Sequence, residues 1–304
     1  MGPAPKRGSR RMGGLRAFLV LSRGSGLPPV WSHCVAGWWL GGGGRLGALL
    51  WVIGGATLLY LAGAFLSDAY DAPGDRQHRR PRPIPAGQAR EGVVFGCGWA
   101  WLLLGLASLF CAGRASGYWG LALASCIVCY SVVHRMLTIS PVLLSFCRFM
   151  LYPTAASAGE VGLTGSAIWC GLALALYAVG VRYLQTQPAP DSGAVSYWPI
   201  APMLAPMLLA SVLNGPGYRE PALLLSAVVG LWTVYQLRKL LWEASERAYA
   251  RSGLEAGLVF VDWLAVAHAP QWLSLVFIGL FFIALLLQKI PPAPAAAHTV
   301  VVLR

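Results

Sequence analysis

The chain alternates long uncharged stretches with short loops that collect most of its charge. Leu27 to Gly44 contains no Lys, Arg, Asp or Glu, and Leu46 to Leu66 repeats the pattern after a single arginine. Val93 to Ala112, Ser116 to Val133, Val142 to Ala158 and Val161 to Val181 follow in the same style. Ser192 to Tyr218 carries Pro199, Pro202, Pro206 and Pro216, which predict a helix that is kinked or starts late. Pro221 to Leu237 and Gln271 to Gln288 complete the set. About twenty apolar residues cross a bilayer as a helix, and a helix satisfies its own backbone where water is absent. The pattern therefore predicts an all-α integral membrane protein with about nine transmembrane helices. Residues 1–26 form a basic lead-in expected in the cytoplasm, 27–288 the membrane domain, and 289–304 a short tail. Between the last two spans, the charged loop through Glu255 predicts a solvated amphipathic helix. Ala256 to Ala269, which includes Asp262, predicts an interfacial or partial segment.

Composition agrees. The 304 residues are 57% hydrophobic and 11% charged, about half the charged fraction of a soluble domain. The net charge of +12 does not point to nucleic acid, because the basic residues sit in loops beside apolar runs. Seventeen Lys/Arg fall on the side of the N-terminus and five on the other, leaving out Arg148 inside a span. The positive-inside rule then places the N-terminus and the loop after the second span in the cytoplasm, with the cell inner membrane as the expected location. No removable signal peptide is expected, since no short apolar core with a small-residue cleavage site follows the basic start. The seven cysteines lie in apolar runs, and Cys126 and Cys129, though spaced C-x-x-C, read as inert packing thiols.

The chemistry is concentrated in S-D-A-Y-D-A-P-G-D-R-Q-H-R-R-P-R-P-I-P-A-G, Ser67 to Gly87. Asp68, Asp71 and Asp75 stand at i, i+3 and i+7, within one narrow arc of a helix. Carboxylates gathered at a membrane edge suit Mg²⁺, which is commonly held by one or two carboxylates plus substrate phosphates. The arginines just behind, Arg79 and Arg82 among them, suit the remaining phosphate oxygens. An ordinary charged loop between two spans is the plain alternative. Pro73 and Gly74 are expected to break the helix and leave Asp75 on a loop. Arg148, seven residues inside an apolar stretch, needs a partner, either a substrate phosphate or a motif aspartate, unless it snorkels to the interface. His33 either lines an active-site cavity or packs as a hydrogen-bonded core histidine.

The D-x-x-D-x-x-x-D string followed by R-P-I-P resembles the first aspartate-rich motif of the UbiA superfamily of intramembrane prenyltransferases. The usual form there is N-D-x-x-D-x-x-x-D with a downstream R-P-I-P-S-G; here Ser67 replaces Asn and Ala86 replaces Ser. S-G-L-P-P-V-W-S-H-C-V-A-G-W is similar to that family's first helix, with Gly26 and His33 in place of two asparagines. Y-S-V-V-H-R and F-C-R-F-M-L-Y also look like the family. The resemblance implies a UbiA-like bundle around a central cavity and Mg²⁺-dependent transfer of an isoprenyl group from an isoprenyl diphosphate to a lipophilic, possibly aromatic, acceptor in the membrane lipid. It implies Asp68, Asp71 and Asp75 as metal ligands and Arg79, Arg82, Arg135 and Arg148 on the diphosphate.

The family's second motif, D-x-x-x-D after the sixth span, is absent. Tyr177, Arg182 and Tyr183 occupy that helix end, and Asp191 is the only nearby acid. Arg182 and Tyr177 then become candidate substrate contacts, with Arg182 binding phosphate directly. The competing reading is a non-catalytic UbiA-like membrane component of a biosynthetic or export assembly. A transporter is a weaker match, because the acids cluster at one membrane edge instead of the midplane. Acceptor identity, prenyl length and oligomeric state have no readable code in the chain.

Overall fold

The computed structural model describes residues 21–78, 83–85, 87–134, 139–187, 196–213 and 217–288. These form α1 (Leu27–Leu40), α2 (Leu46–His78), α3 (Glu91–Ala112), α4 (Arg114–Val133), α5 (Ser140–Ala156) and α6 (Gly165–Thr186). The second half comprises α7 (Ile200–Met203), α8 (Ala205–Val212), α9 (Arg219–Trp242), α10 (Arg247–Ala256), α11 (Leu258–Ala265) and α12 (Gln271–Gln288). No strand occurs among the described residues. Six of the described helices, α2, α3, α4, α6, α9 and α12, are long and apolar enough to cross a membrane. The predicted first and fifth spans are shorter, at 14 and 17 residues, and the proline-rich stretch breaks into the brief α7 and α8. The chain is an integral membrane protein.

Local sequence accounts for the helix ends. Pro28 and Pro29 open α1, where a missing N–H costs nothing because the first turn has no internal acceptor for it. Thr164 caps α6 by accepting from the Ala167 amide at 3.2 Å, and its hydroxyl donates to the Leu40 carbonyl at 2.9 Å. One side chain thus starts α6 and ties it to the end of α1. The chain leaves α1 through Gly42, Gly43 and Gly44, with φ of 93°, 66° and 103°, a left-handed run that only glycine adopts cheaply. Gly41 closes against α5: a Cβ added there would meet the Ala156 carbonyl oxygen well inside van der Waals contact. We expect Gly41→Ala to lower the thermal midpoint of the purified protein, by about 1–3 kcal/mol of overpacking, because the obstacle is backbone and cannot rotate away.

Two expectations are corrected. First, α2 does not stop at Pro73 but continues to His78. Proline removes one helical hydrogen bond, yet this helix lies along α3 over much of its length, and Arg76 donates to Glu91 at 2.7 Å just beyond the proline. Asp75 is therefore helical. Second, of the two readings of Ala256 to Ala269, interfacial or partial, the burial of the short α11 removes the interfacial one, while α10 is amphipathic as expected. In α10, Ala250, Gly253, Leu254 and Ala256 are buried. In α11 every residue except Trp263 is buried, and this short helix packs against α1, α6, α8, α9 and α12. A buried acid, Asp262, is thereby carried to the middle of the bundle.

Candidate active site

The aspartate-bearing helix α2 ends in a carboxylate face. Asp71 and Asp75 are 6% and 1% exposed, so the i, i+3, i+7 arc points into protein and not into solvent. Asp68 accepts from Nη2 of Arg23 at 2.8 Å. The Arg23 backbone sits at φ 45°, an uncommon region for a side chain with a Cβ, and its carbonyl accepts from the Tyr60 hydroxyl at 2.9 Å. Nε2 of His134 lies 3.1 Å from Oδ1 of Asp71. Burial alone would lower the His134 pKa, but the hydrogen bond and charge of Asp71, with the carbonyls of Ser131 and Tyr130, outweigh it and raise the value. Tyr130 stacks on His134 with ring centroids 5.2 Å apart.

Arg148 and Arg182 form a pair of guanidiniums that share one carboxylate. Arg148 is 8% exposed, which excludes snorkelling. The protein groups beside it are His33 and Glu255. Nη1 lies 3.3 Å from Nε2 of His33, and Nη2 lies 4.0 Å from Oε1 of Glu255. Arg182 reaches the same Glu255 oxygen at 2.9 Å and donates to Gln185 at 3.2 Å. Burial would raise the Glu255 pKa, but Arg182, Arg148, the Gln185 hydrogen bond and Arg23 together lower it, so the carboxylate is ionised. Tyr60 lies in the fields of Arg23, Arg148, Arg182 and Glu255, and Tyr130 in those of Arg182, Arg23 and Asp71. Arg23, which binds Asp68, also acts on Glu255 and so lies within electrostatic range of the arginine pair.

Behind Arg148 lies a fully buried hydrogen-bond network. Asp262 accepts from Ser32 and from Nδ1 of His33 on Oδ2, the latter at 2.7 Å, and from the Tyr152 hydroxyl on Oδ1 at 2.7 Å. Arginine has no acceptor, so Nε2 of His33 must offer its lone pair to Arg148, and Nδ1 carries the hydrogen given to Asp262. His33 is thus a hydrogen-bonded interior histidine, and through it α11 orients a guanidinium on α5. Tyr177 is fully buried, with its hydroxyl 2.9 Å from that of Thr233.

Arg79, Arg82 and Arg135 lie outside the described residues. Of the other candidates, Asp68, Asp71 and Asp75 share one face of α2, Arg148 and Arg182 share Glu255, and His33 lies beside Arg148, while Tyr177 points into packing. Sequence reasoning missed Arg23, Glu255 and Asp262 as members. Asp262 had one usable signal, an acid inside an apolar segment.

The donor set suits Mg²⁺ shared with a phosphate ligand. No group of three His, Cys, Asp or Glu forms a ready-made cage among the described residues, and Mg²⁺ does not require one when phosphate oxygens and water complete its shell. Asp68, Asp71 and Asp75 are hard oxygen donors on one helix face.

The fold of this bundle is similar to that of two solved structures. The chain is similar to the apo structure of a UbiA homolog from Aeropyrum pernix K1 with a TM-score of 0.62 and 13% identity, covering 77% of this chain and 94% of that one. It is similar also to the structure of a digeranylgeranylglyceryl phosphate synthase, with a TM-score of 0.55 and 15% identity over 90% of this chain and 99% of the other. No protein-family model matches the chain, and no curated protein matches it in sequence.

Proposed function

We propose that the chain is a UbiA-type intramembrane prenyltransferase that moves an isoprenyl group from an isoprenyl diphosphate to a lipophilic acceptor with Mg²⁺, its active site facing the cytoplasm. Two observations support the reading: the buried carboxylates Asp71 and Asp75 on α2, and the pair Arg148 and Arg182, two arginines that outnumber the single glutamate between them. A buried excess of guanidinium suits an anionic ligand.

In this reading Asp68, Asp71 and Asp75 hold Mg²⁺. The metal supplies Lewis-acid stabilisation of charge on the departing diphosphate. Arg148 and Arg182 grip phosphate oxygens and stabilise the same charge by preorganised hydrogen bonds. The C1–O bond breaks with its electron pair leaving on diphosphate, the acceptor's nucleophile bonds to the allylic carbon, and the acceptor's proton is lost. Tyr60, beside Arg23, and Tyr130, stacked on His134, offer aromatic faces to the allylic cation. The surrounding apolar helices exclude water that would otherwise trap it.

The deciding experiment gives the purified protein, in lipid nanodiscs, labelled isoprenyl diphosphates of several lengths with a membrane lipid extract as acceptor source. Mg²⁺-dependent pyrophosphate release and a labelled lipid of matching mass are expected. No release at any chain length would favour the non-catalytic assembly component. Arg148→Ala is expected to weaken diphosphate binding at least about tenfold, the scale of a close buried charge pair. Unchanged affinity would assign Arg148 to structure alone.

A further inference from the structure

We propose that Glu255 is an internal counter-anion occupying the place where a phosphate group of the ligand binds Arg148 and Arg182, and that the ligand displaces it. The inference rests on the reading of that arginine pair as the diphosphate-facing side. It adds a residue that sets the affinity and selectivity of the site.

Both guanidiniums converge on one oxygen, Oε1 of Glu255, at 2.9 Å from Arg182 and 4.0 Å from Arg148. A single carboxylate offers one negative charge to two cations and leaves the pair with a surplus. A phosphate group brings more charge and three acceptor oxygens, which suit two guanidinium forks better than one carboxylate does. The Glu255 side chain keeps 22% of its surface exposed, so the contact is not sealed. Arg148 is held from behind independently of Glu255, and Arg182 by a glutamine that also hydrogen-bonds Glu255. Arg148 rests on His33, itself fixed by Asp262. Arg182 donates to Gln185, whose amide is tied to the Arg251 carbonyl at 2.9 Å. Removing the glutamate therefore leaves a pair of positioned cations.

The rival role is a metal-binding carboxylate that replaces the missing second aspartate motif. Electrostatics argue against it. A divalent cation at Glu255 would lie within a few ångströms of two guanidiniums, and like charges at that range repel by several kcal/mol even at moderate effective dielectric. The shared chemistry of the ligand is a phosphate-type dianion, either free pyrophosphate or the head of a prenyl diphosphate.

The test measures binding of inorganic pyrophosphate to the full chain in nanodiscs, by calorimetry, with EDTA present so that no metal contributes. Glu255→Gln is expected to bind about tenfold more tightly than the unaltered chain. Glu255→Asp, which keeps the charge on a shorter stem, is expected in between. Arg182→Gln is expected to bind at least about tenfold more weakly. Thermal unfolding identifies which variants are folded, and if Glu255→Gln is not, Glu255→Asp carries the comparison. Equal or weaker binding by the folded Glu255 variant overturns the proposal, as does absence of metal-free binding by every protein. Loss of affinity only when Mg²⁺ is added would assign Glu255 to the metal. The assay involves no prenyl transfer, so tighter binding without any transferase activity would uphold this inference while the enzymatic reading fell. A prenyl donor and free pyrophosphate, compared in the same variants, separate the two sources of the diphosphate.

Discussion

Asp68→Ala or Asp71→Ala is expected to reduce prenyl transfer by about a thousandfold or more while leaving folded protein in the membrane. Removal of one preorganised stabiliser of developing charge costs about 10²–10³ in rate, and loss of a metal ligand adds to that by weakening Mg²⁺ itself. The fold is expected to survive for local reasons. Alanine is the best helix former, and α2 is held by its long apolar contact with α3 rather than by its acids. The Arg23–Asp68 pair is half exposed on the arginine side, a setting in which ion pairs contribute little to stability. The measurement is turnover of labelled isoprenyl diphosphate beside a gel-filtration and circular-dichroism check of folding. Turnover near that of the unaltered chain in either variant would remove that residue from the metal-binding set.

Asp262→Ala is expected to act in the opposite way, on the fold first. It deletes a carboxylate that receives His33 and Tyr152, both fully buried, while Ser32 can still donate to the Pro29 carbonyl at 2.8 Å. Each stranded buried donor costs about 1–3 kcal/mol, so the thermal midpoint should fall sharply, by more than for any other substitution named above. Asp262→Asn keeps one acceptor oxygen and should recover part of the loss. Its amide also donates, so it no longer fixes the His33 tautomer, and Arg148 loses its aligned acceptor. A folded Asp262→Asn protein with weakened pyrophosphate binding is the expected second readout. A thermal midpoint equal to that of the unaltered chain in Asp262→Ala would show that the network is not structurally required.

The aspartate motif was legible in the sequence because its residues are neighbours on one helix. Spacing alone placed Asp68, Asp71 and Asp75 on a single face, and α2 preserves that face through Pro73 because tertiary contacts on both sides of the proline compensate for one lost hydrogen bond. Arg148 was legible as a buried charge, but its partner was not. Glu255 lies 107 residues away along the chain, in a segment whose mixed charges look suited to water. The first turn of that segment is solvated, and its inner face is not. The same limit hid Arg23, which reads as one more basic residue of the lead-in until Asp68 is found beside it.

Alone, the sequence determined the membrane class, the helical content and the position of the acidic helix end, since each follows from short-range periodicity and from the cost of charge in lipid. Only the tertiary structure decided which charges meet. It turned α10 and α11 inward, set Glu255 between two arginines, and placed Asp262 behind His33. Those pairings depend on long-range packing, where burial forces every ionised group to find a counter-charge or hydrogen bond regardless of its distance along the chain.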